Sequence, residues 1–234
     1  MSLLVVRGLM ASYGTTPALF GVDLSLNEGE VVALMGRNGM GKSTTVKAIC
    51  RMIGSTGTLT MDQHDLHQLP SHKVARLGIG LVPEGRRCFR DLTVTENLMA
   101  STRRGPWDIA RVANLFPRLA ERKGQVAASL SGGEQQMLAI GRALVTNPRL
   151  LILDEATEGL APIVRQEIWS AISQIRDETG MAILLIDKTL RELAKVADRA
   201  VILARGQTVW SGDMADLTPD ITHAHVGVHQ DQNG

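Results

Sequence analysis

The chain has few aromatic residues and no excess charge of either sign. Aromatic side chains make up 3% of its 234 residues, too few for a surface on which several nucleic-acid bases would stack. Lys and Arg number 25 against 24 Asp and Glu, so the formal net charge is +1. A protein that binds nucleic acid usually carries a strongly basic face. We therefore expect no nucleic acid among the partners.

Cysteine and long apolar runs are also scarce. Cys50 and Cys88 are too few for a disulfide framework or a four-cysteine zinc site. No segment approaches the roughly 18 consecutive apolar residues that a membrane span needs, and residues 1–14 lack the pattern of a signal peptide. These absences predict a cytoplasmic protein, with any membrane part supplied by other polypeptides.

Short apolar runs alternate with amphipathic segments along much of the chain. Runs that lack polar alternation predict buried parallel strands at residues 31–35, 79–82, 150–153 and 182–186. Helices are predicted at 42–52 and 163–178. Strands at 3–12, 22–26 and 58–61, and a hairpin pairing 200–203 with 208–210, are predicted to be antiparallel. The pattern predicts an α/β fold with a mostly parallel sheet and an antiparallel β subdomain.

A stretch without buried strands interrupts this alternation. Residues 87–147 contain helical patterns at 94–102, 109–122 and 134–146, which predict an inserted helical subdomain. The polar residues 219–234 are predicted to form a tail. His223, His225 and His229 fall in that tail, where no carboxylate or cysteine cluster completes a metal site.

A glycine-rich loop follows the first buried strand. Gly36 to Ser43 reads GRNGMGKS, which fits the pattern of a phosphate-binding loop that opens a helix. Backbone N–H groups at Gly36, Asn38, Gly39 and Gly41 can surround phosphate oxygens, and the helix start at Ser43 and Thr44 adds its positive dipole end. Lys42 can bridge the β- and γ-phosphates, and Ser43 can offer a hydroxyl to Mg²⁺. The loop predicts an ATP site.

A second motif, which is acidic, supplies further groups that could act on a bound nucleotide. The run LLILDE, residues 150–155, carries Asp154 to the end of a buried strand, the edge at which open α/β sheets bind ligands. Asp154 can hold the hydrated Mg²⁺. Glu155 can orient an attacking water and take its proton. The pair predicts hydrolysis of the bound nucleotide.

Residues 130–136, LSGGEQQ, resemble the signature of ABC ATPases, and with the two motifs above the resemblance covers nearly the whole chain. Ser131 and Glu134 form a capping box that begins a helix, and Gly132 and Gly133 leave its N-terminus open to an anion. In the family this helix end faces ATP bound by the other subunit. The resemblance therefore implies a head-to-tail dimer with a second ABC ATPase subunit, identical or different.

Other site residues follow from the resemblance one by one. Tyr13 matches the aromatic residue that stacks on adenine; otherwise it is an exposed strand aromatic. Residues 82–98, VPEGRRCFRDLTVTENL, are similar to the segment that docks on transmembrane permease subunits. Glu84 in that segment stands where most members have Gln, and it joins Ser43 and Asp154 as an implied Mg²⁺ ligand.

The chain looks most like the smaller ATPase of branched-chain amino-acid importers and of related urea or amino-acid importers. VPEGR, LTVTENL and EGLAP carry this resemblance. It implies a subunit peripheral to the inner face of the cell membrane, served indirectly by a periplasmic binding protein. The alternatives are the ATPase of a lipid or lipopolysaccharide exporter and a soluble ABC ATPase without a transport role. A small-molecule kinase with the same loop is disfavoured by LSGGEQQ.

Lys188 departs from the family pattern, which usually has His or, in this subgroup, Gln at its position. A lysine there can stabilise charge on the transferred phosphoryl group as a catalytic residue. Alternatively it is a solvated side chain paired with Asp187. The sequence leaves both interpretations open.

Overall fold

The computed structural model describes residues 2–226. Its strands form two sheets. The strands are β1 (Ser2–Tyr13), β2 (Thr16–Asn27), β3 (Val31–Met35), β4 (Ser55–Met61), β5 (His64–Asp65), β6 (Ile79–Val82), β7 (Leu150–Asp154), β8 (Ala182–Ile186), β9 (Arg199–Ala204) and β10 (Gln207–Asp213). The helices are α1 (Lys42–Ile49), α2 (Ser71–Arg76), α3 (Val94–Met99), α4 (Ile109–Leu115), α5 (Pro117–Glu121), α6 (Gly132–Leu144), α7 (Pro162–Thr179), α8 (Leu190–Val196) and α9 (Pro219–His225).

The central sheet has six strands in the order β10-β9-β3-β8-β7-β6. All neighbours are parallel except β10, which runs antiparallel to β9. The predicted strands at 31–35, 79–82 and 182–186 are confirmed to the residue, and the one at 150–153 extends by one residue. The α/β fold class is confirmed.

The hairpin predicted at 200–210 lies in the central sheet, because β9 pairs in parallel with β3. Ala200 to Leu203 are fully buried, the pattern of a strand covered on both faces. The second sheet is antiparallel, in the order β2-β1-β4-β5. It contains the predicted antiparallel strands 3–12, 22–26 and 58–61 in longer form.

Alternate residues of the central strands enter two separate cores. One face, with Val32, Leu34 and Leu184, packs against α1 and the antiparallel sheet. The other face, with Ala33, Met35 and Leu185, packs against α6, α7 and α8. Because the central strands are buried on both sides, their ends are held rigidly, and the loops at those ends are fixed in position.

Several predicted helices end differently in the structure. The helix predicted at 42–52 ends at Ile49, and Arg51 has a left-handed φ of 55°. The single helix predicted at 109–122 is divided into α4 and α5 at Phe116, because Pro117 lacks an N–H and disfavours helical backbone at the residue before it. Helix α7 has Pro162 in its first turn and ends at Gly180, which is left-handed.

The segment 87–147 contains α3 to α6 and, as its one β contact among the described residues, an isolated bridge between Thr93 and Val126. Helices α2 and α8 were not predicted. Helix α9 corrects the predicted tail, since residues 219–225 are helical with Thr218 as the N-cap. Residues 227–234 of that tail, and His229 with them, lie outside the described residues. Within residues 2–226, the helices are too short or too polar to cross a membrane.

Candidate nucleotide site

The phosphate loop lies between β3 and α1, as its sequence predicts. Gly36 begins it with a φ of 141°. A Cβ at this position would lie 2.4 Å from the carbonyl oxygen of Leu203 in β9, so a side chain there would collide with the backbone of the neighbouring strand. The loop therefore needs glycine at its first position.

Lys42 curls back over this loop. Its Nζ donates hydrogen bonds of 2.9 Å to the carbonyl oxygen of Gly36 and 3.2 Å to that of Arg37. The residue is 5% exposed, and burial lowers the pKa of its ammonium group below the usual range. Neutral carbonyls are its hydrogen-bond acceptors, so an anionic phosphate would be a stronger partner for this buried cation.

The end of β7 brings Asp154 beside the start of α1. The Ser43 hydroxyl donates a 3.2 Å hydrogen bond to Oδ1 of Asp154. Asp154 is 4% exposed, and burial raises the pKa of its carboxyl group. A hydroxyl and a buried carboxylate are the oxygen donors that Mg²⁺ takes together with phosphate and water. These two residues therefore fit a magnesium ion.

Glu155 has an unusual backbone conformation at the end of the same strand. Its φ is 50°, in the left-handed region that non-glycine residues seldom occupy. Its N–H donates a 2.8 Å hydrogen bond to the carbonyl oxygen of Ile186 at the end of β8. This contact with a rigid strand fixes the direction in which the side chain leaves the sheet.

The carboxylate of Glu155 faces two lysines. Its oxygens lie 3.9 Å from Lys42 Nζ and 3.4 Å from Lys188 Nζ. Burial, followed by a hydrogen bond with the carboxyl group of Glu158, raises the pKa of Glu155 to about 7. A carboxylate with such a pKa is suited to accept a proton from water near neutral pH.

A cavity of about 330 Å³ collects most of the predicted site residues. It is lined by Asn38, Gly39, Gly41, Lys42, Ser43, Thr44, Glu84, Glu155, Glu158 and Lys188. Asp154 lines an adjoining groove of about 500 Å³, together with Ser43 and Glu84. Two motifs more than 100 residues apart thus meet at one edge of the sheet.

Glu84, the implied Mg²⁺ ligand, lies near Asp154 and also near two other carboxylates. It is exposed and approaches Asp154 closely enough for its charge to contribute to the raised pKa of that residue. It also forms a carboxylate cluster with Glu155 and Glu158, whose oxygens lie within 4.8 Å of one another. Its assignment as a metal ligand stays a prediction.

Lys188 lies in the cavity and pairs with residues other than the predicted Asp187. Its Nζ is 2.7 Å from Oε1 of Glu158 and 3.4 Å from Oε2 of Glu155. The hydrogen bond with Glu158 raises the pKa of Lys188. Asp187 instead accepts hydrogen bonds from the Thr157 hydroxyl, at 2.6 Å, and from the N–H of Thr189. The alternative in which Lys188 pairs with Asp187 is therefore wrong, and the catalytic role of Lys188 stays a prediction.

Tyr13 stands at the edge of the phosphate loop. Its hydroxyl is 3.5 Å from the hydroxyl of Thr44, and the residue is 44% exposed. Lys47 Nζ lies 5.5 Å from the ring centroid. An exposed ring beside the start of α1 is placed where a base could stack, and its role in binding adenine stays a prediction.

The signature residues lie apart from the chain's own phosphate cavity. Ser131 and Glu134 form the predicted capping box at the start of α6. Arg122 pairs with the buried Glu134. Ser131, Gly132 and Gly133 do not line the 330 Å³ cavity, so within one chain they have no contact with that site.

Glu158 lines the phosphate cavity and Arg86 lies against Gly132 at the start of α6; the sequence did not single out either residue. Arg86 has a φ of 52°, and its guanidinium occupies the space where a Cβ on Gly132 would stand. Its Nη2 donates a 3.3 Å hydrogen bond to the carbonyl oxygen of Gly159. No local pattern marks these long-range contacts, which depend on how α6 and the loop after β7 pack.

His223 and His225 lie on α9. In the described part of the chain, neither belongs to a group of three or more His, Cys, Asp or Glu side chains close enough to bind one metal ion.

This combination of phosphate loop, strand-end carboxylates and capped glycine helix agrees with the comparisons to known proteins. The family model described as "ABC transporter" matches residues 19–158. The chain belongs to the ABC transporter family. It is an ATP-hydrolysing cassette of that family, coupled to transport.

Individual relatives match nearly the whole chain. The chain is 42% identical to the high-affinity branched-chain amino acid transport ATP-binding protein BraG of Pseudomonas aeruginosa, over 92% of this chain and 95% of the relative. It is 33% identical to the lipopolysaccharide export system ATP-binding protein LptB of Escherichia coli K12, with 94% of each covered. A nucleotide-free ATP-binding cassette from an ABC transporter has the same fold, with a TM-score of 0.83 and 22% identity over 98% of this chain and all of the other.

Proposed function

We propose that the cassette hydrolyses ATP to drive the import of branched-chain or related amino acids across the inner membrane. The observation that carries the hydrolytic part is the meeting of Lys42, Ser43 and Glu155 in one cavity, with Asp154 bonded to Ser43 beside it. The substrate class is supported by the 42% identity to BraG.

The first step is the capture of the phosphates. Lys42 exchanges the carbonyl oxygens of Gly36 and Arg37 for the β- and γ-phosphate oxygens of ATP. Ser43 and Asp154 would hold Mg²⁺, which supplies positive charge against the phosphates. Tyr13 is proposed to stack on the adenine ring, a contact worth roughly 1–3 kcal/mol for a base on an aromatic ring.

The second step is the attack of water. Glu155, fixed by its backbone bond to Ile186, orients the water and accepts its proton, a role worth about 10²- to 10⁴-fold in rate. Lys188 is proposed to stabilise the charge that develops on the equatorial oxygens of the phosphoryl group. It lies in the same cavity with its ammonium 3.4 Å from Glu155.

We propose that the working unit is a head-to-tail dimer with a second ABC ATPase subunit. Ser131, Gly132 and Gly133 at the start of α6 would then bind the γ-phosphate held by the partner. The residues of this glycine-rich helix start do not line the chain's own cavity, which supports this arrangement. Closing and opening of the dimer would drive the transport cycle.

Contact with transmembrane permease subunits is assigned to the segment that follows β6. Phe89 in this segment is 49% exposed under the Arg142 guanidinium, and Met99 of α3 is 61% exposed. The 500 Å³ groove lined by Met52, Leu81 and Pro83 also includes Arg87 of this segment. Exposed apolar side chains along a groove suit a partner helix. The cassette would thus lie at the cytoplasmic face of the membrane, and a periplasmic binding protein would act on it only through the permeases.

The test is uptake by the assembled transporter. Membrane vesicles containing the cassette and its permeases should accumulate radiolabelled leucine, isoleucine or valine when ATP and the binding protein are present. The matched control carries Glu155→Gln. ATP hydrolysis without amino-acid uptake, accompanied by lipopolysaccharide release, would favour the export function of the LptB type.

A further inference from the structure

The loop after β7, residues 156–161, is tied to the end of β8 by two consecutive side chains. Thr157 donates a 2.6 Å hydrogen bond to Asp187, and Lys188 pairs with Glu158 at 2.7 Å. The first tie joins the body of the loop to the rigid sheet. The second involves an ammonium group that also reaches the catalytic carboxylate, so it links the loop to the site of hydrolysis.

The position of the Lys188 ammonium depends on its carboxylate neighbours. The side chain is 43% exposed and has a flexible four-carbon stem, so packing alone does not fix it. Glu158, at 2.7 Å, is nearer to it than Glu155, at 3.4 Å. The nearer acceptor therefore sets where the charge lies, and Glu155 is the only other carboxylate within 4 Å of it among residues 2–226.

These three side chains also form a boundary between two spaces. Lys188, Glu155 and Glu158 line the 330 Å³ phosphate cavity and, on their other side, a cavity of about 140 Å³ beneath the loop. A displaced Lys188 ammonium would either close onto Glu155 or leave the phosphate cavity. In both cases the positive charge would no longer face the phosphoryl group.

We propose that Glu158 is a positioning residue for hydrolysis, which holds the Lys188 ammonium in the phosphate cavity and keeps it from closing onto Glu155. Glu158 does not itself react; besides its own hydrogen bond with Glu155, it acts through Lys188. This inference rests on the proposed hydrolytic roles of Glu155 and Lys188. It adds a loop residue, Glu158, that restrains the flexible side chain of Lys188 so that the ammonium group can face the phosphoryl group.

The competing explanation is an exposed ion pair with no role. Exposed lysine-carboxylate pairs contribute little by themselves, and the chain contains a matched example. Lys195 and Glu192 on α8 are 2.8 Å apart, and neither lines the phosphate cavity. Glu192→Gln removes the same chemical group as Glu158→Gln and serves as the control.

The test is a double-mutant cycle on steady-state ATP hydrolysis by the assembled transporter, with the catalytic glutamate of the partner ATPase subunit disabled. We expect Glu158→Gln to lower kcat about tenfold with KM changed less than about twofold, because the variant loses a transition-state contact and retains ground-state binding. In a Lys188→Gln background the same substitution should lower kcat much less than it does in wild type, since only the direct hydrogen bond of Glu158 with Glu155 is then lost. Glu158→Asp should recover part of the rate, and Glu192→Gln should match wild type.

A second readout needs no hydrolysis. In the nucleotide-free full chain, brief amine labelling followed by mass spectrometry should show greater modification of Lys188 in Glu158→Gln than in wild type or Glu192→Gln. Equal labelling of Lys188, an unchanged or raised kcat, or an equal loss of rate with and without Lys188 would each overturn the proposal. An assembled wild-type transporter that binds a fluorescent ATP analogue without hydrolysing ATP would overturn the proposed function, and this inference with it.

Discussion

The Nη2 atom of Arg86 donates a 3.3 Å hydrogen bond to the carbonyl oxygen of Gly159. The same guanidinium lies directly on Gly132, where a Cβ would be 2.1 Å from its Nη1. One side chain thus joins the segment after β6, the signature helix α6 and the loop after β7. Glycine at position 132 is what allows this close approach.

Arg86→Ala should weaken the ATP-dependent dimer and leave ATP binding by the single chain intact. Arg86 does not line the phosphate cavity, but it orders the helix start and the loop that are proposed to face the partner nucleotide. We expect the dimer Kd to rise about tenfold, equivalent to roughly 1.4 kcal/mol. Sedimentation in ATP and Mg²⁺, alongside binding of a fluorescent ATP analogue, measures both quantities. Arg90→Ala, an exposed arginine nearby, is the control, and an equal effect of that variant would remove Arg86 from this role.

Glu155→Gln should abolish turnover and retain ATP, which traps a dimer. The substitution removes the proposed proton acceptor, whose contribution is about 10²- to 10⁴-fold in rate, and it also removes a negative charge beside the γ-phosphate. Size-exclusion chromatography with ATP and Mg²⁺ should show a dimer of the variant. Glu167→Gln, which disrupts an exposed ion pair with Arg118, should behave as wild type. Undiminished hydrolysis by Glu155→Gln would show that another group activates the water.

The phosphate loop and the central strands could be predicted because their determinants are local. The glycine spacing of residues 36–43 and the uninterrupted apolar runs of β3 and β8 are visible in the sequence. The resemblance of LSGGEQQ to a known signature added the helix start at Ser131. Since these signals are short and contiguous, no tertiary information was needed to read them.

The contacts of Lys188 could not be predicted in the same way. Asp187 is its neighbour in sequence, but it faces Thr157, while Glu158, 30 residues away, provides the ion pair. A strand end directs adjacent side chains apart, so the partner depends on which loop passes nearby. The parallel pairing of β9 with β3 was missed for a related reason, since a tight hairpin marks its own two strands but not the sheet that it joins.

The isolated cassette should be mostly monomeric without nucleotide and a weak ATPase. The proposed dimer interface forms through shared ATP, and the natural partner is proposed to be a second ATPase subunit, identical or different. Sedimentation without nucleotide should show a species near 25.3 kDa, and specific ATPase activity should rise with protein concentration. A tight dimer without nucleotide, with activity independent of concentration, would contradict the composite site.

The two cysteines should resist thiol reagents in the folded chain. Burial raises the pKa of Cys50 to about 12, so the group is almost entirely a thiol at pH 8, and only the thiolate is reactive. Burial also raises the pKa of Cys88, whose Sγ donates to the carbonyl oxygen of Gln135. A colorimetric disulfide reagent at pH 8 should react at least about 100-fold more slowly than with the denatured protein. In Cys88→Ser, rapid labelling would mean that the end of α1 opens readily.

Lys188→Ala should lower kcat about tenfold or more with little change in ATP affinity. The ammonium lies in the phosphate cavity between two carboxylates, where an added γ-phosphate would give it a third anionic partner. A charge that interacts more strongly with the transition state than with bound ATP affects kcat and leaves binding nearly unchanged. Lys188→His should restore part of the rate, because an imidazole can donate a hydrogen bond to the same oxygen and carries partial charge near neutral pH.

The decisive assay is steady-state hydrolysis by the assembled transporter, with the catalytic glutamate of the partner ATPase subunit disabled so that only this site turns over. Wild-type turnover by Lys188→Ala under those conditions would mean that the ammonium serves the Glu155 and Glu158 carboxylates alone and has no part in phosphoryl transfer.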